Sequence, residues 1–98
     1  MIGRIIFRPA AEHELREGYA WYEERVPGLG FEFVRAADAC VQIIQRNPDI
    51  YPVVYKEVRQ GIVRRFPYSI LYLVVQDRVI VISVFHSSRD PKIWKRRV

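Results

Sequence analysis

The 98-residue chain has a single cysteine, Cys40, and it lacks any long apolar run. A lone cysteine excludes an internal disulfide framework and makes the reducing cytoplasm the expected compartment. The longest apolar run, ILYLVV at 70–75, is far shorter than the roughly 18 residues that a membrane-spanning helix needs. The N-terminal sequence has no apolar stretch typical of a signal peptide. We therefore expect a cytoplasmic protein that has no membrane segment.

Histidine is also scarce, and this argues against a metal centre. The chain has two histidines and one cysteine. His13 and Glu17 stand one helical turn apart, a spacing compatible with metal ligation, but the chain offers few residues to complete a ligand set. We expect no metal and no cofactor, and we interpret this pair as part of a solvated helix face.

Linkers, repeats and low-complexity tracts are absent as well, and half of the residues are hydrophobic. Chains of about this length usually form one hydrophobic core. We predict a single domain over residues 1–98.

Acidic residues are few in the second half of the chain. Residues 1–49 carry six Lys/Arg and eight Asp/Glu, a net charge of −2, whereas residues 50–98 carry ten and three, a net charge of +7. A basic half of this kind is typical of a surface that meets an anionic partner. Nucleic acid and an acidic protein segment both fit, and basic faces also occur on proteins that bind neither.

The hydrophobic pattern of the first half predicts a strand followed by two helices. RIIF at 4–7 is typical of a short strand, and Pro9 of the first turn of a helix. Apolar residues then recur every three or four positions, first over 11–26 and again over 33–44, which predicts two amphipathic helices. Pro27 and Pro48 mark their ends, so the helices form an antiparallel hairpin.

The second half is typical of strands. An irregular, proline-punctuated edge strand precedes three strands, at 61–66, 69–75 and 78–85. Tight turns between them require antiparallel pairing. The predicted fold class is α+β, in the order β-α-α-β-β-β, with the helix hairpin packed on one face of a small, mainly antiparallel sheet.

A two-residue turn at Gln76-Asp77 would fix the register of the last two strands. On that register Leu71 pairs with Ile82, and the aliphatic face that carries them forms the core beneath the helices. Tyr72 then belongs to the opposite face, with Arg65 beside it, where a partner could bind. A slip of one residue would exchange the two faces.

The segment after the last strand concentrates polar chemistry. His86, Ser87, Ser88 and Asp90 are the residue types of a nucleophilic triad, but residues this close in sequence rarely reach triad geometry. Trp94 has a simpler interpretation, in which it folds back over the sheet.

Several short motifs, in this order and spacing, resemble the RelE/ParE superfamily of toxins from bacterial type II toxin–antitoxin modules. They span nearly the whole chain: FRPAAEHEL (7–15), YAWY (19–22), PGLG (27–30), NPDIYP (47–52), RRFPYSILY (64–72) and SVFHSSRDPKIW (83–94). The resemblance implies the RelE/ParE-like fold and a cognate antitoxin that wraps the toxin with a helix and an extended, often acidic segment. Operator DNA would be contacted only through that antitoxin.

The resemblance also divides the candidate functions. RelE-like members cleave messenger RNA on the ribosome, but Ser69 stands where that branch typically has arginine, and VRQGIVRR lacks its lysine pair. ParE-like members carry a His-x-x-Arg-Asp motif after the last strand, which HSSRD at 86–90 matches. The best-studied members of that branch inhibit DNA gyrase as protein ligands rather than as enzymes.

We therefore favour a ParE-like gyrase inhibitor and keep two alternatives. If the chain is an RNase, His86 would transfer protons while Arg64, Arg65 and Arg89 hold phosphate. A non-toxic antitoxin-binding module is the other alternative. The candidate contacts for target or antitoxin are Arg65, Tyr72, Arg89, Lys92, Trp94, Lys95, Arg96 and Arg97.

Overall fold

The computed structural model describes residues 4–98. The first three residues of the predicted domain 1–98 lie outside this range. The elements in chain order are β1 (Arg4–Phe7), α1 (Pro9–Arg25), α2 (Leu29–Arg46), β2 (Val53–Tyr55), β3 (Val58–Val63), β4 (Tyr68–Val75), β5 (Arg78–His86) and α3 (Lys92–Lys95). The strands form one sheet in the order β1-β5-β4-β3-β2, in which β1 runs parallel to β5 and the other neighbours are antiparallel. The predicted α+β architecture is confirmed, with α3 as an unpredicted addition.

The helix hairpin depends on a side chain of α1 that caps α2. Gly28, with φ of 90°, occupies the left-handed region that favours glycine, and it precedes the first turn of α2. The Glu23 carboxylate accepts hydrogen bonds from the Gly28 and Gly30 amides, at 2.9 and 3.0 Å. A carboxylate suits the unpaired amides and the positive end of the helix dipole. Glu23 therefore fixes the corner between the two helices.

The sheet presents its faces the opposite way round from the prediction. Tyr72 lies beneath the helices, in a core of α1, α2 and sheet residues: Ala11, Phe33, Cys40, Ile44, Val63, Ile70, Val79, Val81 and Val84. Leu71 and Ile82, predicted to lie beneath the helices, are on the other face. The prediction was wrong because both faces of β4 and β5 are apolar, so hydrophobicity alone does not tell them apart.

The predicted turn is nevertheless correct, and the error in pairing begins beyond it. Val75 pairs with Arg78 and Leu73 with Ile80, as a turn at Gln76-Asp77 requires. The register then shifts between Leu71 and Tyr72, so that Leu71 pairs with Ser83 instead of Ile82. One extra residue in β5 at this bulge brings Val84 back to the helix side.

The second face of the sheet is covered by the C-terminal segment. Trp94 of α3 is buried among Val58, Leu71, Ile82 and Phe85. Its ring meets that of Tyr55 at 5.9 Å in an edge-to-face contact. Tyr72, predicted to lie on an open face that binds a partner, is therefore covered by the helix hairpin, and the opposite face is covered by the chain's own C-terminal residues.

Candidate partner-binding surface

Three of the predicted contact residues make contacts within the fold instead of lying free at the surface. Tyr72 is 0% exposed, and its hydroxyl donates to the Pro48 carbonyl at 2.7 Å. Trp94 is 5% exposed. Arg97 is engaged in an internal ion pair. The remaining predicted contacts are exposed or half-buried: Arg65, Arg89, Lys92, Lys95 and Arg96.

Arg97 pairs with Glu14, a buried carboxylate that the sequence interpretation missed. Two Arg97 nitrogens donate to the two Glu14 oxygens at 2.9 and 3.1 Å. The same carboxylate accepts from the Ser83 hydroxyl and the Val84 amide, at 2.9 and 3.0 Å. Bidentate geometry and satisfied lone pairs are the conditions under which a buried ion pair is tolerated. Glu14 therefore joins α1, β5 and the C-terminal segment.

A signal for Glu14 is present in the sequence. Ala11, Glu14 and Gly18 are the buried residues of α1, and their spacing of three and four is that of a core stripe. A carboxylate on such a stripe requires a buried partner. The apolar residues Leu15 and Tyr22 hide this signal, because together with Ala11 they form an apolar stripe of helical spacing that omits Glu14.

His86 lies at the end of β5 among local contacts. Its Nδ1 accepts the Ser88 amide at 3.0 Å, which assigns the ring proton to Nε2 when the imidazole is neutral. The Tyr68 ring packs against it at 5.0 Å. Burial raises the pKa of Tyr68 above its usual value, so this phenol stays protonated near neutral pH. Within residues 4–98, Asp90 makes no hydrogen bond to His86, and one of its carboxylate oxygens accepts the Lys92 amide at 2.9 Å.

A groove runs between α2 and the end of β3, and we call it the α2–β3 groove. Its cavity volume is about 480 Å³. The apolar part is formed by Ala36, Ala39, Cys40, Ile43 and Ile62, while Arg35, Arg64, Arg65 and Glu32 contribute charge. Arginine is thus in excess around an apolar depression, an arrangement suited to an amphipathic acidic segment.

The deeper wall of the groove stays uncharged near neutral pH. Cys40 approaches the Tyr51 hydroxyl at 3.8 Å, and burial raises the pKa of its thiol. Burial, reinforced by Cys40, raises the pKa of Tyr51 to about 12. The arginines therefore dominate the charge that a ligand meets in the groove.

The outer edge of β3 is open beside this groove. β2 pairs with Val58 and Arg59 alone, and the Gln60 amide donates outward to the Pro52 carbonyl at 3.1 Å. Backbone groups of alternate residues point to the same side of a strand, so Ile62 also directs its amide and carbonyl outward. Ile62 is 55% exposed. An extended peptide can therefore add to the sheet at this position.

The described residues can also be compared with the requirements of a metal site and of a membrane span. Within residues 4–98, no cluster of three or more His, Cys, Asp or Glu side chains has the arrangement of a metal site. His13 and Glu17 form an exposed contact at 3.5 Å on α1. No helix in the described part of the chain combines the length and apolar character of a membrane span.

Comparison with known proteins identifies the class of protein to which the chain belongs. A family model described as the ParE toxin of the type II toxin–antitoxin system, parDE, matches residues 5–91. The fold is thus that of a toxin from a toxin–antitoxin module. The chain belongs to the ParE toxin family.

A solved structure shares the fold. The chain titled "Chromosomal ParDE TA system from P. aeruginosa" superposes with a TM-score of 0.76 at 17% sequence identity. The match covers 87% of this chain and 96% of the other. A search of curated proteins finds no significant match.

Proposed function

We propose that this ParE-family toxin inhibits DNA gyrase as a protein ligand and is neutralised by a cognate antitoxin bound in the α2–β3 groove. The observation that carries the antitoxin site is the coincidence of three features: an apolar depression, three arginines and an open strand edge. The choice of gyrase rests on the HSSRD motif and on analogy with the ParE branch.

The groove matches the chemistry of an acidic, partly apolar peptide. Aliphatic side chains of such a segment would enter beside Ala39 and Ile43, and its carboxylates would meet Arg64 and Arg65. Arg65 is held in the β3–β4 connection with φ of 69°, so the turn sets its position. Main-chain bonds to Ile62 would supply affinity, and the arginines would supply preference for acidic sequences.

The groove arginines are expected to control antitoxin affinity. Replacing Arg64 and Arg65 together by Glu should weaken binding of the antitoxin encoded beside this chain about 100-fold, because attraction becomes repulsion. Isothermal titration calorimetry measures the change. The matched control, Arg4→Glu with Arg16→Glu, makes the same charge change at exposed positions of β1 and α1, outside the groove, and should leave the affinity within about threefold. Equal losses in both variants would refute the groove as the site.

Strand addition has its own test at Ile62. Because the Ile62 amide points outward, Ile62→Pro removes the donor offered to a partner and spares the β4 pairing. Ile62→Ala keeps the amide donor and, like Ile62→Pro, removes the isoleucine side chain. The proposal expects Ile62→Pro to bind the antitoxin far more weakly than Ile62→Ala, with both variants folded by circular dichroism. Equal affinities would show that the partner does not extend the sheet.

Gyrase inhibition is tested in cells that express the chain with and without its antitoxin. The proposal expects growth arrest, accumulated DNA breaks and intact RNA from the chain alone, and normal growth upon co-expression. Loss of RNA that depends on His86 would establish the RNase alternative, in which His86 is the group that transfers protons. Normal growth under induction of the chain alone would establish a non-toxic binding module.

A further inference from the structure

A second charged surface surrounds Tyr55, and we call it the α3 patch: Lys56, Lys92, Lys95 and Arg96. Two ammonium groups lie near the Tyr55 ring, with Lys56 Nζ at 5.4 Å and Lys95 Nζ at 5.1 Å from its centroid. The two nitrogens are therefore at most 10.5 Å apart, the sum of these distances. Lys92, Lys95 and Arg96 line a shallow depression of about 390 Å³ beside the same ring.

Within residues 4–98, no Asp or Glu side chain forms an ion pair with the cations of the α3 patch. The carboxylate ion pairs of that range use other basic residues, and none involves a member of the patch. Glu57 and Asp90 are the acidic residues nearest in sequence, and neither side chain forms an ion pair with a member of the patch. Lys56 donates to the main-chain oxygen of Val98, the last residue of the printed chain, at 3.2 Å.

The patch is built on a fixed platform rather than on a loose tail. Buried Trp94 anchors α3 to the sheet, and the Arg97 pair with Glu14 holds the residues that follow. Lys56 sits in the β2–β3 turn with φ of 51°, a left-handed conformation that sets where its side chain begins. Cations held together in this way favour ligands that carry several negative charges close together.

The composition of the patch distinguishes it from the α2–β3 groove. The groove combines arginines with exposed aliphatic surface, which suits a peptide. The α3 patch has three lysines, and lysine binds a phosphate as a compact point charge without the fixed bidentate geometry of arginine. Its depression contains none of the large exposed hydrophobic side chains that would anchor a protein segment. Such a surface suits a regular row of phosphates.

We propose that the α3 patch binds the phosphate backbone of duplex DNA without base-sequence preference. This contact goes beyond gyrase inhibition and is separate from any operator recognition by an antitoxin. Phosphate neutralisation by Lys56, Lys92, Lys95 and Arg96 releases counterions, so the affinity falls steeply with salt. In one respect this inference rests on the proposed function: the same patch would contact the DNA that gyrase holds.

Fluorescence anisotropy with two unrelated labelled duplexes, across a series of KCl concentrations, tests the proposal. The unmodified chain should bind both duplexes equally. The double variant Lys92→Gln with Arg96→Gln should reduce the slope of log affinity against log salt by about two, at about 0.9 per lost phosphate contact. The matched control, Arg16→Gln with Arg46→Gln, removes the same charge from the helices and should retain the slope.

Several results would overturn the proposal. A chain that fails to bind either duplex, or equal slope changes in the patch and control variants, would do so. Stronger competition by polyglutamate than by unlabelled duplex would assign the patch to an acidic protein segment. Tighter binding of single-stranded RNA would assign it to RNA. Gyrase inhibition measured on the same variants separates the two proposals, since inhibition without DNA binding would refute only the patch, and DNA binding without inhibition would refute only the gyrase target.

Discussion

At the scale of residues, one buried carboxylate organises the molecule more than any predicted site residue does. Glu14 receives Arg97, the Ser83 hydroxyl and the Val84 amide, and Arg89 approaches it at 4.0 Å. This network lies beside the HSSRD motif from which function was inferred. The packing of Trp94 was foreseeable as the simpler of two interpretations. The Glu14–Arg97 pair was not, because 83 residues separate the partners and local patterns carry no such information.

Neutralising Glu14 is expected to destabilise the fold strongly. Glu14→Gln leaves the Arg97 guanidinium half-buried without its counter-charge, at a cost of about 3–5 kcal/mol. Urea unfolding followed by circular dichroism measures it. Glu12→Gln is the matched control, since its pair with Arg16 is exposed and contributes about 0.5 kcal/mol. Similar losses in the two variants would contradict the structural role of Glu14.

Tyr72 is expected to make the free energy of unfolding decrease at alkaline pH. Burial raises the pKa of Tyr72 to about 12, compared with about 10 in an unfolded chain. The folded state therefore resists ionisation that the unfolded state accepts, so this stabilisation is complete below pH 10 and is lost between pH 10 and 12.

The comparison with Tyr72→Phe isolates that effect. At pH 8 the variant should be less stable by about 1–2 kcal/mol, because the Pro48 carbonyl loses its donor. Between pH 10 and 12 the difference should shift by about 2–3 kcal/mol in favour of the variant. Urea unfolding across this pH range measures both, and a difference that stays constant with pH would contradict the buried position of Tyr72.

At the scale of elements, the strands and helices were predictable but the assignment of faces was not. Pro9, Pro27 and Pro48 mark helix boundaries through backbone geometry that any sequence obeys. The faces of β4 and β5 depend instead on what covers them. Because α3 closes one face and the helix hairpin the other, both strands carry apolar side chains on both faces and the alternation of polar and apolar residues is lost. The bulge near Leu71 contains no glycine or proline that would indicate it in the sequence.

The C-terminal segment is expected to be an integral layer of the fold. Trp94→Ala should cost about 3–5 kcal/mol, because it empties a buried site among Leu71, Ile82 and Phe85. The chain supplies a matched control in Trp21, which is 51% exposed and stacks on Arg25. Trp21→Ala should cost about 1 kcal/mol or less. Equal costs by urea unfolding would mean that α3 does not seal the sheet.

At the scale of the whole molecule, the covered sheet leaves its edges and ends for the proposed partner contacts. The second half of the sequence predicted a basic surface, and several of its exposed cations lie in two groups, at the α2–β3 groove and in the α3 patch. The sequence did not predict this division, because it depends on α3 folding back beside Tyr55. In the proposed mechanism both surfaces bind partners, and neither requires proton transfer.

A supercoiling assay with purified gyrase, relaxed plasmid and the purified toxin decides whether the protein inhibits gyrase. We expect inhibition that His86→Gln retains and that added antitoxin reverses, while RNA in a parallel reaction with ribosomes stays intact. Full gyrase activity in the presence of folded toxin, together with RNA cleavage that His86→Gln abolishes, would contradict it.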